Sequence, residues 1–93
     1  MSIVNLKIPE ALLKFTAGKN ELVLEIHSLS QLQSSLLQVA PSLHEIIFIR
    51  GTAQPCGFVN FYLNGQLVSD QLQSSLPLLD PSQIDLVAAV SGG

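Results

Sequence analysis

Residues Ile3 to Ile8 alternate with period two, which puts Val4, Leu6 and Ile8 on one face. Glu21 to Ile26 alternates in the same way, with Leu22, Leu24 and Ile26 on one side and both glutamates on the other. Each pattern predicts a half-buried strand. Pro9 closes the first strand, and Gly18-Lys19-Asn20 supplies turn chemistry before the second. The pair reads as an antiparallel hairpin with a long loop. The period then changes. Leu29, Leu32, Leu36 and Ala40 recur every three to four residues, the apolar stripe of an amphipathic helix. Ser28 or Ser30 is placed to cap it, and Pro41 to stop it. Glu45 to Arg50 is short, apolar and β-branched, which fits a strand or a buried helix equally. Gly51 to Gly57 reads as loop.

Phe58 to Leu63 alternates again and runs into Asn64-Gly65, then Gln66-Leu67-Val68. Asn-Gly between alternating segments is a strong hairpin signal, because a type I′ turn needs positive φ at both central residues. Asp70 to Leu76 reads as one or two helical turns ended by Pro77. Ile84 to Val90 is the most apolar segment and reads as a central strand buried on both faces, with Ile84, Leu86 and Ala88 toward the helix. The hexapeptide Gln-Leu-Gln-Ser-Ser-Leu occurs at Gln31 to Leu36 and again at Gln71 to Leu76, but two short copies with divergent flanks do not make a repeat fold. The order of elements predicts an α+β fold, a mixed sheet packed on one main helix. With the last strand beside the first, it is a β-grasp. Residues 1–90 form its single domain and 91–93 a tail.

The chain has 93 residues, 47% apolar and 12% charged, with a net charge of −3. So much apolar surface and so little charge exclude disorder. Four Lys/Arg are too few for a phosphate-tracking stripe, so no nucleic-acid partner is expected. No apolar run approaches the length that spans a membrane. Asn5, Lys7 and Pro9 interrupt what would otherwise be a signal segment. The single cysteine, Cys56, forms no internal disulfide and points to a reducing, cytoplasmic setting.

Catalytic chemistry is sparse. There is no G-x-x-x-x-G-K-S/T or G-x-G-x-x-G loop to hold a nucleotide phosphate. His27 and His44 lack partners at metal-ligand spacing, so no metal is expected. His44 beside Glu45 is not an acid–base pair, since adjacent helical residues do not face each other. Asp80 and Asp85 read as solvated turn residues. Cys56 has no base or cation placed to activate it. The chain is therefore not expected to be an enzyme.

The terminus reads differently. At about 7% glycine usage, two glycines end a chain by chance about once in 200. Gly92 and Gly93, lacking Cβ, can pass through a channel too narrow for other residues. Three tail residues, Ser91 to Gly93, reach about 10 Å and would carry the terminal carboxylate into another protein's active site. An inert, frayed end is the competing reading.

The hairpin Phe58-Val59-Asn60-Phe61-Tyr62-Leu63-Asn64-Gly65 is similar to the F-V-N-x-F/Y-V-N-G hairpin of the MoaD/ThiS sulfur-carrier family of ubiquitin-like proteins. Ala89-Val90-Ser91-Gly92-Gly93 resembles that family's P-x-V-A/S-G-G ending. Leu6-Lys7-Ile8-Pro9 and Phe15-Thr16-Ala17-Gly18 look like the same family. The family's acidic D-G-D-E/S-V turn is here Asp80-Pro81-Ser82-Gln83-Ile84, and Ala88 stands where proline is frequent.

The resemblance implies a β-grasp carrier whose functional group is the Gly93 carboxylate. A ubiquitin-activating-like adenylyltransferase would use its own ATP and Mg²⁺ to adenylate it. Sulfur would then replace AMP, and the thiocarboxylate would serve a sulfur-accepting biosynthetic enzyme. Molybdopterin, thiazole and cysteine routes all use such carriers. This chain itself binds no cofactor. Docking is expected on the sheet face away from the helix, where alternation puts Phe58, Tyr62 and Val87, with Ala89 leading to the tail. Conjugation to lysines through Gly93, or a plain interaction module with an inert tail, are the alternatives.

Overall fold

The period-two segments form strands with the expected faces. The computed structural model describes residues 2–52, 54–75 and 77–88. β1 (Ser2–Lys7) pairs antiparallel with β2 (Glu21–Ile26), from Ser2–Ile26 to Lys7–Glu21. Val4 and Leu6 are fully buried on the inner face, and Leu22, Leu24 and Ile26 join them. The connecting loop contains a 3₁₀ turn, Glu10–Phe15, whose Leu12 seals one end of the core.

The helical stripe is present, but in two pieces. A 3₁₀ turn at Leu29–Gln31 leads into α1 (Leu32–Val39), and a second helix, α2 (Pro41–Ile47), follows at once. Pro41 does end α1. It also begins α2, because its missing N–H is no loss at the first helical position and its fixed φ already suits a helix. The ambiguous segment from Glu45 is thus helical to Ile47, after which Phe48 bridges to Pro55. Leu29, Leu32, Leu36, Leu43 and Ile47 all turn into the core. The expected serine cap is absent. Neither serine caps the helix start through its side chain, and the Ser28 and Ser30 hydroxyls bond each other at 2.8 Å. The His27 N–H donates to Gln31 Oε1, so the side chain that ties down this helix entry is an amide.

β3 (Val59–Leu63) and β4 (Gln66–Leu67) form the Asn-Gly hairpin. Asn64 has φ 49° and Gly65 φ 90°, as a type I′ turn requires. Asn64 adds a second role: its N–H donates to the Gln83 carbonyl at 2.8 Å, and its Oδ1 accepts the Gln83 N–H at 2.9 Å. A 3₁₀ turn at Ser69–Gln71 is the helical structure in the segment expected to hold one or two turns. β5 (Ser82–Ala88) lies centrally in the order β2-β1-β5-β3-β4, parallel to β1 and antiparallel to β3. This is the β-grasp arrangement.

Ile84 and Leu86 face the helices as expected, with Ala88 half buried. Burial on both faces is not found: Val87 is 44% exposed, because the helices cover one face of the sheet and leave the other open. Phe61, fully buried at the centre of the core, stacks tilted on Phe48 at 5.9 Å between centroids. No helix among the described residues is long and apolar enough to cross a membrane.

Two substitutions test this account by urea unfolding. Phe61→Ala is expected to cost about 3–5 kcal/mol, a large part of a small domain's stability. Gly65→Ala should cost about 1–2 kcal/mol from backbone strain alone, since a Cβ there meets nothing within 4 Å. Gly57→Ala, equally uncrowded and without a positive φ, should leave stability nearly unchanged.

Candidate functional site

Registers define the open face of the sheet. Tyr62 lies opposite Asp85 on one side and Leu67 on the other, and Asp85 lies opposite Lys7, which lies opposite Glu21. Directly opposed residues share a face. One cross-strand row therefore runs Glu21, Lys7, Asp85, Tyr62, Leu67 over the surface away from the helices. In the next row Val87 lies opposite Asn60. Beside these, Phe58 precedes β3 and is 38% exposed, with Tyr62 half buried.

The structure thus brings Tyr62 and Val87 onto one face, as the alternation predicts, and leaves Phe58 exposed where β3 begins. Leu67, 50% exposed, extends the apolar surface and was missed by sequence reasoning. The signal was available, since a two-residue turn fixes Leu67 opposite Tyr62. A groove of about 540 Å³ lies on this face, lined by Lys7, Pro9, Tyr62, Gly65, Asp85 and Val87 among others. It is open and carries a cation, a carboxylate and an aromatic ring. Ala89, Ser91, Gly92 and Gly93 lie outside the described residues.

The groups considered for catalysis are occupied by the fold or separated. The Asp80 carboxylate accepts the Ile3 N–H at 2.9 Å, near the start of β1, whereas Asp85 stands opposite Lys7 at its end. Four residues of strand, roughly 13 Å, lie between those two positions, so the two aspartates do not form a pair. Asp85 accepts a hydrogen bond from the Gln83 amide at 3.1 Å. His44 is half buried against Phe48, with ring centroids 5.1 Å apart, and its buried Nε2 has no hydrogen-bond partner. Glu45 beside it is exposed. Cys56 is half buried with its thiol 3.4 Å from the Ile46 carbonyl. Among the described residues no group of three or more His, Cys, Asp or Glu is placed to hold a metal ion. A groove of about 740 Å³ lies on the helical side between α1, α2 and residues 48–52, away from the open sheet face.

Comparison with known proteins gives a consistent picture. The model of the ThiS family matches residues 7–93. No curated protein sequence matches the chain. Among solved structures, it is similar to small archaeal modifier protein 1 from Methanosarcina acetivorans, with 28% identity, a TM-score of 0.78, and coverage of 100% of this chain and 98% of that one. Mycobacterium tuberculosis CysO shares 22% identity at a TM-score of 0.77, covering 94% and 99%. A chain of the Amycolatopsis orientalis BexX/CysO complex shares 18% identity at a TM-score of 0.77, covering 97% and 99%. The last two likenesses concern the fold.

Opposite faces of one strand should respond oppositely to charge. Val87→Glu, on the open face, is expected to shift stability by less than about 1 kcal/mol. Leu86→Glu, one residue earlier and buried, should prevent folding, since an unpaired carboxylate in the core costs several kcal/mol. Circular dichroism melts of the two variants separate these outcomes.

Proposed function

Because the chain belongs to the ThiS family of ubiquitin-fold sulfur carriers, we propose that it carries sulfur as a thiocarboxylate on Gly93. The family match, running through the Gly92-Gly93 ending, is the observation that carries this reading.

A free carboxylate is a poor electrophile, because charge and resonance both oppose attack at its carbon. A partner adenylyltransferase with ATP and Mg²⁺ overcomes this. A Gly93 carboxylate oxygen attacks the α-phosphorus, pyrophosphate leaves, and the acyl-adenylate now has a good leaving group. Hydrosulfide attack at the carbonyl carbon expels AMP and yields the thiocarboxylate. A persulfide donor gives an acyl disulfide instead, which a second thiol cleaves to the same product. The thiocarboxylate sulfur then passes to a biosynthetic acceptor enzyme.

In this scheme the chain is a co-substrate, and its folded body serves recognition. Phe58, Tyr62 and Val87, joined by Leu67, form the docking face for the partner, with Ala89 leading into the Ser91-Gly92-Gly93 tail. Large exposed apolar and aromatic side chains on a sheet face that no described element covers suit that role. The BexX/CysO complex supports pairing of such a carrier with a second protein. A second reading, conjugation to protein lysines through Gly93, is favoured by the likeness to a small archaeal modifier protein. It would show as a higher-mass ladder in cell lysates.

Intact-mass measurement after incubation with ATP, a sulfur donor and a candidate activating enzyme should show replacement of one oxygen by sulfur. A chain extended by one uncleavable alanine should show none; sulfur gain by that variant would refute the assignment to Gly93. Tyr62→Glu is expected to slow adenylation at least about tenfold while the fold persists, and unchanged turnover would remove the open face from the docking role.

A further inference from the structure

We propose that the groove between the β1–β2 loop and the α1–α2 junction docks an acidic segment of the protein that receives the tail. The groove, about 400 Å³, is lined by Lys14, Phe15, Lys19, Val39 and Ser42 among others. Its charge is anomalous for this chain. The protein has seven Asp/Glu against four Lys/Arg, yet two of those four cations line this groove and no carboxylate does. Glu10 opens the adjoining 3₁₀ turn and Glu21 opens β2, and neither reaches the lining. A mixed apolar and cationic groove on an otherwise acidic protein is complementary to an acidic strand or loop that carries apolar side chains.

The loop that presents these lysines is held in place. Thr16 is buried, and its hydroxyl lies 2.6 Å from the Lys19 carbonyl and 3.2 Å from that of Leu13. The Gly18 N–H donates to the Leu13 carbonyl at 2.9 Å, across a turn in which Ala17 and Gly18 both have positive φ. The Lys14 ammonium lies over the Phe15 ring, 5.3 Å from its centroid. Both cations are exposed, but their backbone is fixed, so little ordering is lost when a partner binds.

Topology places the groove where it matters. β1 and β5 are parallel, with Lys7 opposite Asp85, so both strands end toward the same edge of the sheet. The loop leaves β1 at that edge, and the chain leaves β5 at Ala88 there. A partner that accepts the tail therefore meets the Lys14–Lys19 loop on the same side. Identifying the acidic segment with the tail-receiving protein rests on the carrier reading; the charge preference of the groove does not.

The test is a heteronuclear NMR titration of the ¹⁵N-labelled protein with a hexaglutamate peptide at low ionic strength. Shifts are expected at residues 14–19 and 39–42. Binding should weaken about tenfold in Lys14→Gln/Lys19→Gln and vanish in high salt, where screening acts within about 3 Å. Arg50→Gln should bind as the native chain does. Shifts centred elsewhere, an undiminished response in the double variant, or an equal response to inorganic phosphate would overturn the proposal. With an activating enzyme, Lys14→Glu/Lys19→Glu should raise KM about tenfold with kcat unchanged, and an unaltered KM would overturn the link to the tail's receiver. Failure of every activating enzyme to adenylate even the native chain would instead count against the carrier reading, leaving the peptide titration to decide the groove.

Discussion

β1 and β5 come from opposite ends of the sequence, and their parallel ladder from Val4–Ser82 to Lys7–Asp85 joins the β1–β2 hairpin to the β3–β4 hairpin in a single sheet. Without it, the β1–β2 hairpin would stand apart from the three strands β5, β3 and β4, and a two-stranded unit is marginal in water. With it, Leu6 and Ile84, both fully buried, stand side by side under the helices. The register is as consequential as the pairing. A slip of one residue would exchange Ile84 and Leu86 for Asp85 and Val87 on the core face, which a core sealed by Leu36, Leu43 and Ile47 would not admit.

The direction of that pairing also decides what the molecule can present together. Parallel strands end on the same side, so the loop after β1 and the chain after β5 share an edge of the sheet. From β1 across β5 and on to β3 and β4, the open face carries the row of Lys7, Asp85, Tyr62 and Leu67. An antiparallel closure would have sent the chain after β5 toward the opposite edge, where β1 begins. The open face, the cationic loop and the departure point of the tail segment are thus consequences of one pairing.

Much of this was legible because strand patterns have a period of two and little else produces them. The faces of β1, β2 and β3 follow directly, and Asn64-Gly65 fixed the register of its hairpin. Where reading failed, the competing term was tertiary. Gln31 to Leu36 and Gln71 to Leu76 are the same hexapeptide, yet the first lies at and within α1 while residues 71–75 form a turn and irregular chain. Leu32 and Leu72 are both buried, so each copy satisfies its apolar side chain by a different backbone route. Six residues do not hold enough propensity to decide between them. Pro41 was legible as a stop but not as a start, since the same missing N–H serves both. The outer side of β5 was misjudged because an apolar run does not say whether a second layer exists.

On the carrier reading, the scarcity of chemistry in the folded body has a physical sense. An acyl-adenylate reacts with whichever nucleophile reaches its carbonyl first, so a carrier with an exposed, activated thiol beside its own terminus would compete with the intended sulfur donor. Cys56 is half buried, its thiol is directed to the Ile46 carbonyl, and no cation lies among the groups bonded to it. The carboxylates of Asp80 and Asp85 are tied to an Ile3 amide and a Gln83 side chain. In the proposed role, what the body offers outward is recognition: apolar side chains on a sheet face that no described element covers, and two lysines on a braced loop. Recognition of that kind fixes where the tail goes without adding a group that could react with its cargo.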